Sequence, residues 1–285
     1  MASDASLDAL LPADMAAKAE QVGVTKANMP LRRLVPLGVL AGAFIALGAN
    51  FATVVTAGGG SAPGVTRLLG GVVFSLGLIL VVVSGAELFT GNTLIVIAAA
   101  SRRVTTKALL RNWLVVYVSN FVGAAATAVV VVASGRLSAG TGDVGVRALQ
   151  IAETKGSVEF GAAIASAVLA NCLVCLAVWM TMSARTLIDK VVVIVPPIAA
   201  FVAAGFEHSV ANMYFFPVAL AQRSWASDEF WVAGDTTASA YPHVTWQHFL
   251  IDNLLPVTIG NIIGGAVLVG LVYWFVYRGP GTRTD

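Results

Sequence analysis

Charged residues are scarce in this 285-residue chain: they make up only 11% of it, whereas 58% of the residues are hydrophobic. A soluble domain carries about a quarter charged residues. The composition therefore predicts an integral membrane protein. The formal net charge of +2 is too small to favour nucleic acid as a partner.

Cysteine is also scarce. The two cysteines, Cys172 and Cys175, stand three positions apart in an apolar run, and we interpret them as packing residues because a CxxC metal site needs further ligands nearby. Neither a nucleophile elbow nor a phosphate-binding loop nor a haem-type histidine pair occurs. We therefore expect no enzyme, cofactor or metal. His243 and His248 are expected at the surface or the membrane interface, with an outer metal site as the less favoured alternative.

The first 33 residues (1–33) lack the apolar core of a secretory signal. The apolar pattern from Leu7 to Met15 suits a short amphipathic helix that begins near Ser6 and lies in the cytosol against the membrane or the protein body. A loosely folded, solvated leader is the alternative. A further hypothesis is that residues 1–30 open and close the cytosolic mouth.

Six apolar regions are long enough to span a bilayer. They cover residues 34–57, 68–100, 112–134, 158–183, 191–221 and 250–277. Most of the 17 lysines and arginines fall on one side if the N-terminus is inside, so the charge bias predicts cytosolic N and C termini. A transmembrane domain over 34–278 and a cytosolic tail over 279–285 follow.

The second and fifth regions are longer than one straight helix requires, and each contains a glutamate near its middle. Both share the pattern Gly, one residue, Glu, four residues, Asn: Gly85, Glu87 and Asn92 match Gly205, Glu207 and Asn212. We interpret both as broken helices, the first interrupted over residues 84–93. A free backbone at membrane depth must be buried in protein or line a cavity.

A second match joins the third region to the sixth. Asn112, Asn120 and Gly123 recur at identical spacing as Asn253, Asn261 and Gly264. The sequence thus predicts two three-helix repeats, 34–134 and 158–277. Because three is odd, the second runs inverted through the bilayer, and such folds place the solute site near the midplane where the breaks meet.

Carboxylates are costly inside a membrane. The favoured interpretation is structural: Glu87 and Glu207 accept hydrogen bonds from N–H groups freed at the breaks. Proton transfer by the two glutamates is the alternative. Lys155, just before the fourth region, either attracts anions into an outer vestibule or anchors the helix end.

His208 breaks the repeat, because its counterpart in the first half is Leu88. With an ordinary pKa near 6.5, a histidine can exchange protons near neutrality. Thr90 at the opposite break and Asn171 on the fourth region are plausible partners. Bulky apolar residues around the breaks either pack the core or close a pore; these are Phe74, Leu78, Leu88, Phe89, Val174 and Phe201.

Five segments together resemble the formate/nitrite transporter family. They are LLPADMAAKAEQVGV at 10–24, GAELFTGNTL at 85–94, NCLVCLAVWM at 171–180, GFEHSVANM at 205–213 and DNLLPVTIGNIIGG at 252–265. The leader and the GFEHSVANM segment are most like the formate channel branch. Gly91 and Asn92 are a variation that the nitrite branch shares, which leaves the preference among formate, nitrite, hydrosulfide, acetate and lactate open.

The resemblance implies an inner-membrane homopentamer whose protomers have an aquaporin-like fold and a pore each. It also implies that His208 is the central pore histidine, that Thr90 is its partner, and that Lys155 lies in the outer vestibule. Two constrictions are implied, one of Asn171, Phe74, Leu78 and Phe201, the other of Leu88, Phe89 and Val174.

The expected function is passive or proton-coupled transport of a small monovalent anion. His208 is expected to protonate the anion or to pair with it as imidazolium, so that it crosses the apolar narrows. A pore for neutral solutes is the alternative, which the absence of paired Asn-Pro-Ala tripeptides disfavours.

Overall fold

The computed structural model describes residues 9–59 and 62–279, and every regular element in those ranges is helical. The predicted helix start near Ser6 lies outside the described residues; the leader helix is seen from Pro12. The helices are α1 (Pro12–Ala27), α2 (Leu31–Val55), α3 (Pro63–Ser84), α4 (Phe89–Ala100), α5 (Thr106–Ala133), α6 (Asp143–Gly156), α7 (Phe160–Ser183), α8 (Leu187–Ala203), α9 (Ser209–Trp225), α10 (Asp228–Ala233) and α11 (His248–Arg278).

Five helices in the described part of the chain, α2, α3, α5, α7 and α11, are long and apolar enough to cross a membrane. The second predicted region consists of α3 followed by the shorter α4. The fifth consists of α8 and α9, which have 17 residues each. Both long regions are therefore broken, as the sequence predicts.

A glycine ends the helix before each break. Gly85 has φ +76° and Gly205 has φ +74°, a left-handed backbone that glycine adopts without a steric penalty. The first break is shorter than the predicted interval of residues 84–93, because α4 already begins at Phe89 and Asn92 lies within it.

The repeated unit includes one more helix than the predicted bounds of 34–134 and 158–277. Lys26 stands one residue before the end of α1, and Lys155 stands one residue before the end of α6.

On the spacing that relates Asn112 to Asn253, Tyr117 of α5 corresponds to Thr258 of α11. Their hydroxyls lie 2.7 Å apart, so equivalent positions meet where the two halves face each other.

Candidate functional site: two half-helices between two vestibules

Asn120 on α5 closes the first break. Its Oδ1 accepts a hydrogen bond from the Phe89 N–H at 2.9 Å, and its Nδ2 donates to the carbonyls of Glu87 and Gly38 at 2.9 and 2.8 Å. One buried side chain thus satisfies backbone groups that lipid would leave unpaired.

Asn261 on α11 does the same at the second break. It accepts from the Ser209 N–H at 2.9 Å and donates to the carbonyls of Glu207 and Ala167 at 3.1 and 2.8 Å. The prediction that the two glutamate carboxylates accept from these freed N–H groups is therefore wrong, because an asparagine oxygen already occupies the position at each helix start.

The Glu87 carboxylate binds side chains instead. Lys26 Nζ lies 2.8 Å from Glu87 Oε1 and 3.0 Å from Asn92 Oδ1. Asn92 Nδ2 donates to Glu87 Oε2 at 2.8 Å and to Asn112 Oδ1 at 2.9 Å, and Asn112 donates back to the Lys26 carbonyl. The buried carboxylate is thereby paired with a cation and hydrogen-bonded, as burial of a charge requires.

The second half repeats this arrangement around Glu207. Lys155 Nζ lies 3.0 Å from both carboxylate oxygens, and Asn212 Nδ2 donates to Glu207 Oε2 at 2.7 Å and to Asn253 Oδ1 at 2.6 Å. Asn253 donates to the Lys155 carbonyl. Lys155, predicted as a vestibule cation or a helix anchor, is thus one partner of a part-buried ion pair.

His208 forms the N-cap of α9. Its Nδ1 accepts a hydrogen bond from the Ala211 N–H at 3.1 Å, and its Nε2 lies 3.0 Å from the Thr90 hydroxyl of the opposite break. Because Nδ1 is an acceptor, a neutral ring carries its hydrogen on Nε2. His208 then donates to Thr90 Oγ1, and the Thr90 hydroxyl keeps its own hydrogen for another acceptor.

Asn171 lies behind Thr90. The side chain is fully buried and outside both cavities as the described residues define them. Its Nδ2 donates to the Asn261 carbonyl at 2.6 Å and to the Thr90 carbonyl at 3.3 Å. Asn171 therefore holds the Thr90 backbone from the side that faces away from the two cavities.

Two cavities lie at opposite ends of α3. The first vestibule, about 350 Å³, is bounded by α1 and the start of α8. The second vestibule, about 420 Å³, is bounded by α6 and the end of α8. Leu78 and Leu88 face the first vestibule, whereas Phe74, Phe201 and His208 face the second.

Aromatic rings narrow the second side of the site. Phe201 stacks on His208 with ring centroids 5.8 Å apart, and the edge of Phe74 meets Phe201 at 5.6 Å. Phe89 and Val174 lie outside both vestibules as the described residues define them and are buried in the core, where Phe89 packs edge-on against Tyr117. The residues expected to form the two constrictions are thus divided between the two vestibules and the core.

Cations dominate both vestibules. Among the described lining residues, the first has one glutamate, Glu87, and four cations: Lys18, Lys26, Arg185 and Lys190. The second has one glutamate, Glu207, and three cations: Arg67, Arg147 and Lys155. Burial, and then the charges of Lys190 and Arg185, lower the pKa of Lys18. Such cavities concentrate anions at both entrances.

The structure also contains an ion cluster that sequence reasoning missed. Glu20 on α1 is 1% exposed and binds Arg278, Arg103 and the Ser101 hydroxyl. Burial opposes ionisation, but these hydrogen bonds hold the pKa of Glu20 at about 2. Because the cluster joins α1 to the end of α11, both helices reach the same face of the protein.

The other two histidines bind neighbouring side chains. His243 Nδ1 contacts Glu153 Oε1, and His248 Nδ1 contacts the Thr245 hydroxyl. Among the described residues, no group of three or more histidine, cysteine or acidic side chains could hold a metal ion.

A broken helix in each of two inverted repeats, with a cavity on either side of the breaks, is the architecture of membrane channels and transporters. The sequence profile described as "Formate/nitrite transporter" matches residues 13–275. The chain therefore belongs to the formate/nitrite transporter family, which confirms the resemblance seen in the sequence motifs.

Individual relatives are similar over almost the whole chain. The formate channel FocA of Escherichia coli (strain K12) is 47% identical over 278 residues, covering 97% of this chain and 98% of its own. FocA of Haemophilus influenzae is 41% identical, with 92% and 93% covered. A solved pentameric formate channel with formate bound matches with a TM-score of 0.83 at 43% identity, covering 87% of this chain and 98% of that one.

Proposed function

We propose that this chain transports formate, and similar small monovalent anions, across the cytoplasmic membrane through a pore within each protomer. The observation that carries the proposal is the contact of His208 Nε2 with the Thr90 hydroxyl, between two cationic vestibules. The names of the similar FocA channels and of the formate-bound structure support formate as the substrate.

The vestibules explain how an anion approaches the site. A formate ion loses much of its hydration in an apolar constriction. The lost hydration costs several kcal/mol unless other donors replace the water. Lys26 and Lys155 lie beside the breaks, but each is already paired with a glutamate. We propose that the net positive charge of each vestibule lining gathers formate and that donors at the breaks receive it.

His208 and Thr90 together supply such a donor. The Thr90 hydroxyl accepts from His208 Nε2 and directs its own hydrogen to a formate oxygen. An imidazolium needs a hydrogen on Nδ1, where the Ala211 N–H now donates. We therefore propose that in this conformation neutral His208 orients the Thr90 hydroxyl, which binds formate, and that His208 protonates formate only after the α9 cap breaks.

The assembly and orientation are part of the proposal. Both α1 and the end of α11 lie on one face, joined through Glu20, and the charge bias puts that face in the cytosol. The similarity to a pentameric channel supports a homopentamer. The first vestibule then opens to the cytosol, and the second opens to the outside.

Uptake by proteoliposomes tests this function. Formate, nitrite, hydrosulfide, acetate, lactate and glycerol would be compared one at a time between pH 5 and 8. We expect formate to enter fastest, with a pH dependence that His208→Phe removes and that the control variant His248→Gln, at the start of α11, keeps. Preference for another anion would overturn formate as the substrate, and wild-type pH dependence in His208→Phe would exclude a role of His208 in proton transfer.

A further inference from the structure

A second polar layer lies beneath Thr90. Thr93 and Cys175 are fully buried and outside both vestibules as the described residues define them. Thr93 Oγ1 donates to the Thr90 carbonyl at 2.6 Å, and Cys175 Sγ donates to the same carbonyl at 3.4 Å. Thr93 Oγ1 and Cys175 Sγ are 3.3 Å apart.

The Thr90 carbonyl therefore has three side-chain donors, of which Asn171 Nδ2 is the third. A carbonyl oxygen has two lone pairs, so this group is held more firmly than hydrogen-bond satisfaction requires. The layer is also sealed: a Cβ on Gly265 of α11 would overlap both Thr93 and Cys175.

The second break lacks this layer. On the spacing that relates Glu87 to Glu207, Thr93 corresponds to Met213; on that relating Lys26 to Lys155, Cys175 corresponds to Ala46. The helix after the second break, α9, is a regular α-helix, whereas α4 contains a 3₁₀ turn at Thr93–Ile95. The scaffold forms a half-helix without these two side chains.

We propose that Thr93 and Cys175 are positioning residues that hold the Thr90 hydroxyl against His208 Nε2. The inference rests on the proposed function, because it assigns these residues an effect on formate transport. Thr93 fixes the Thr90 carbonyl, Cys175 and Asn171 limit its rotation, and the Thr90 side chain is thereby directed towards His208.

Paired substitutions test the inference by transport. Thr93→Val keeps the shape and removes the hydroxyl, so we expect formate uptake to fall about tenfold, the effect of losing roughly one hydrogen bond, with a changed pH profile. Thr93→Ser should restore both. The control is Thr127→Val, which removes a hydroxyl bonded to the Gly123 carbonyl on α5. Wild-type uptake and pH profile in Thr93→Val would overturn the proposal.

A spectroscopic measurement separates this inference from the transport function. In protein labelled with [15N]histidine, the His208 signals are those lost in His208→Phe. We expect Thr93→Val and Cys175→Ala to shift them, and Thr127→Val and Thr93→Ser to leave them in place. Unmoved signals in Cys175→Ala would overturn the positioning role even if Thr93→Val failed to fold. Shifted signals in a protein that does not take up formate would support positioning while excluding the proposed substrate.

Discussion

The two halves of the chain contain the same part-buried ion pair but differ where the half-helices meet. In both, a lysine before the first span binds a glutamate at the break, and two asparagines complete the network. Several positions near the breaks are polar in one half only, among them His208 against Leu88, Thr90 against Val210, Asn171 against Gly42, and Thr93 against Met213.

Three of these polar residues, from the first break and α7, gather around His208 of the second break. Thr90 contacts His208 directly, and Asn171 and Thr93 hold the Thr90 carbonyl. What the halves share therefore supports the broken helices, and what they do not share forms the polar centre. We locate the chemistry at the unshared positions for this reason.

The largest expected effect comes from breaking the shared ion pairs. Glu207→Leu leaves Lys155 uncompensated, and losing one partner of a buried pair costs about 3 kcal/mol. Glu87→Leu should cost less, because the Lys26 side chain is 27% exposed and that of Lys155 only 15%. Thermal unfolding in detergent measures both, and the double variant Lys155→Met, Glu207→Leu should recover much of the loss. Equal losses in the two halves would contradict this difference.

A smaller effect is expected from acid, which should loosen the leader helix α1 and its counterpart α6 from the protein body to different extents. Glu20 is held by charge, whereas the equivalent position on α6 is the buried Leu149. The folded pKa of Glu20 is about 2, below its ordinary value near 4.3. The contribution of Glu20 to stability is therefore present above about pH 4.3 and is lost as the pH falls from there towards 2. Hydrogen exchange should show α1 loosening more than α6 over that interval. Equal loosening of α6, or persistence of the α1 effect in Glu20→Gln, would contradict it.

Much of the fold follows from the sequence. The apolar regions, the two breaks and the inverted repeat are readable because glycine, glutamate and asparagine recur at fixed spacing. His208 stands out because the same alignment places leucine opposite it. Local pattern and internal comparison suffice for these features.

Other features depend on contacts between distant segments. Lys26 was missed although a Thr-Lys pair precedes the first span of each half, at residues 25–26 and 154–155; Glu87 lies 61 positions further along the chain. Glu20 resembles any polar residue of an amphipathic helix until Arg103 and Arg278 bury it. Asn171 faces Thr90 from behind, and no spacing rule gives that direction.

The central claim is that His208 and Thr90 act as one unit, and a double-mutant cycle tests it most directly. His208→Leu and Thr90→Val each replace the residue by its counterpart from the other half. The initial rate of formate uptake would be measured for wild type, both single variants and the double variant. If the two act together, the double variant transports no more slowly than the worse single variant. Losses that simply multiply would contradict the account.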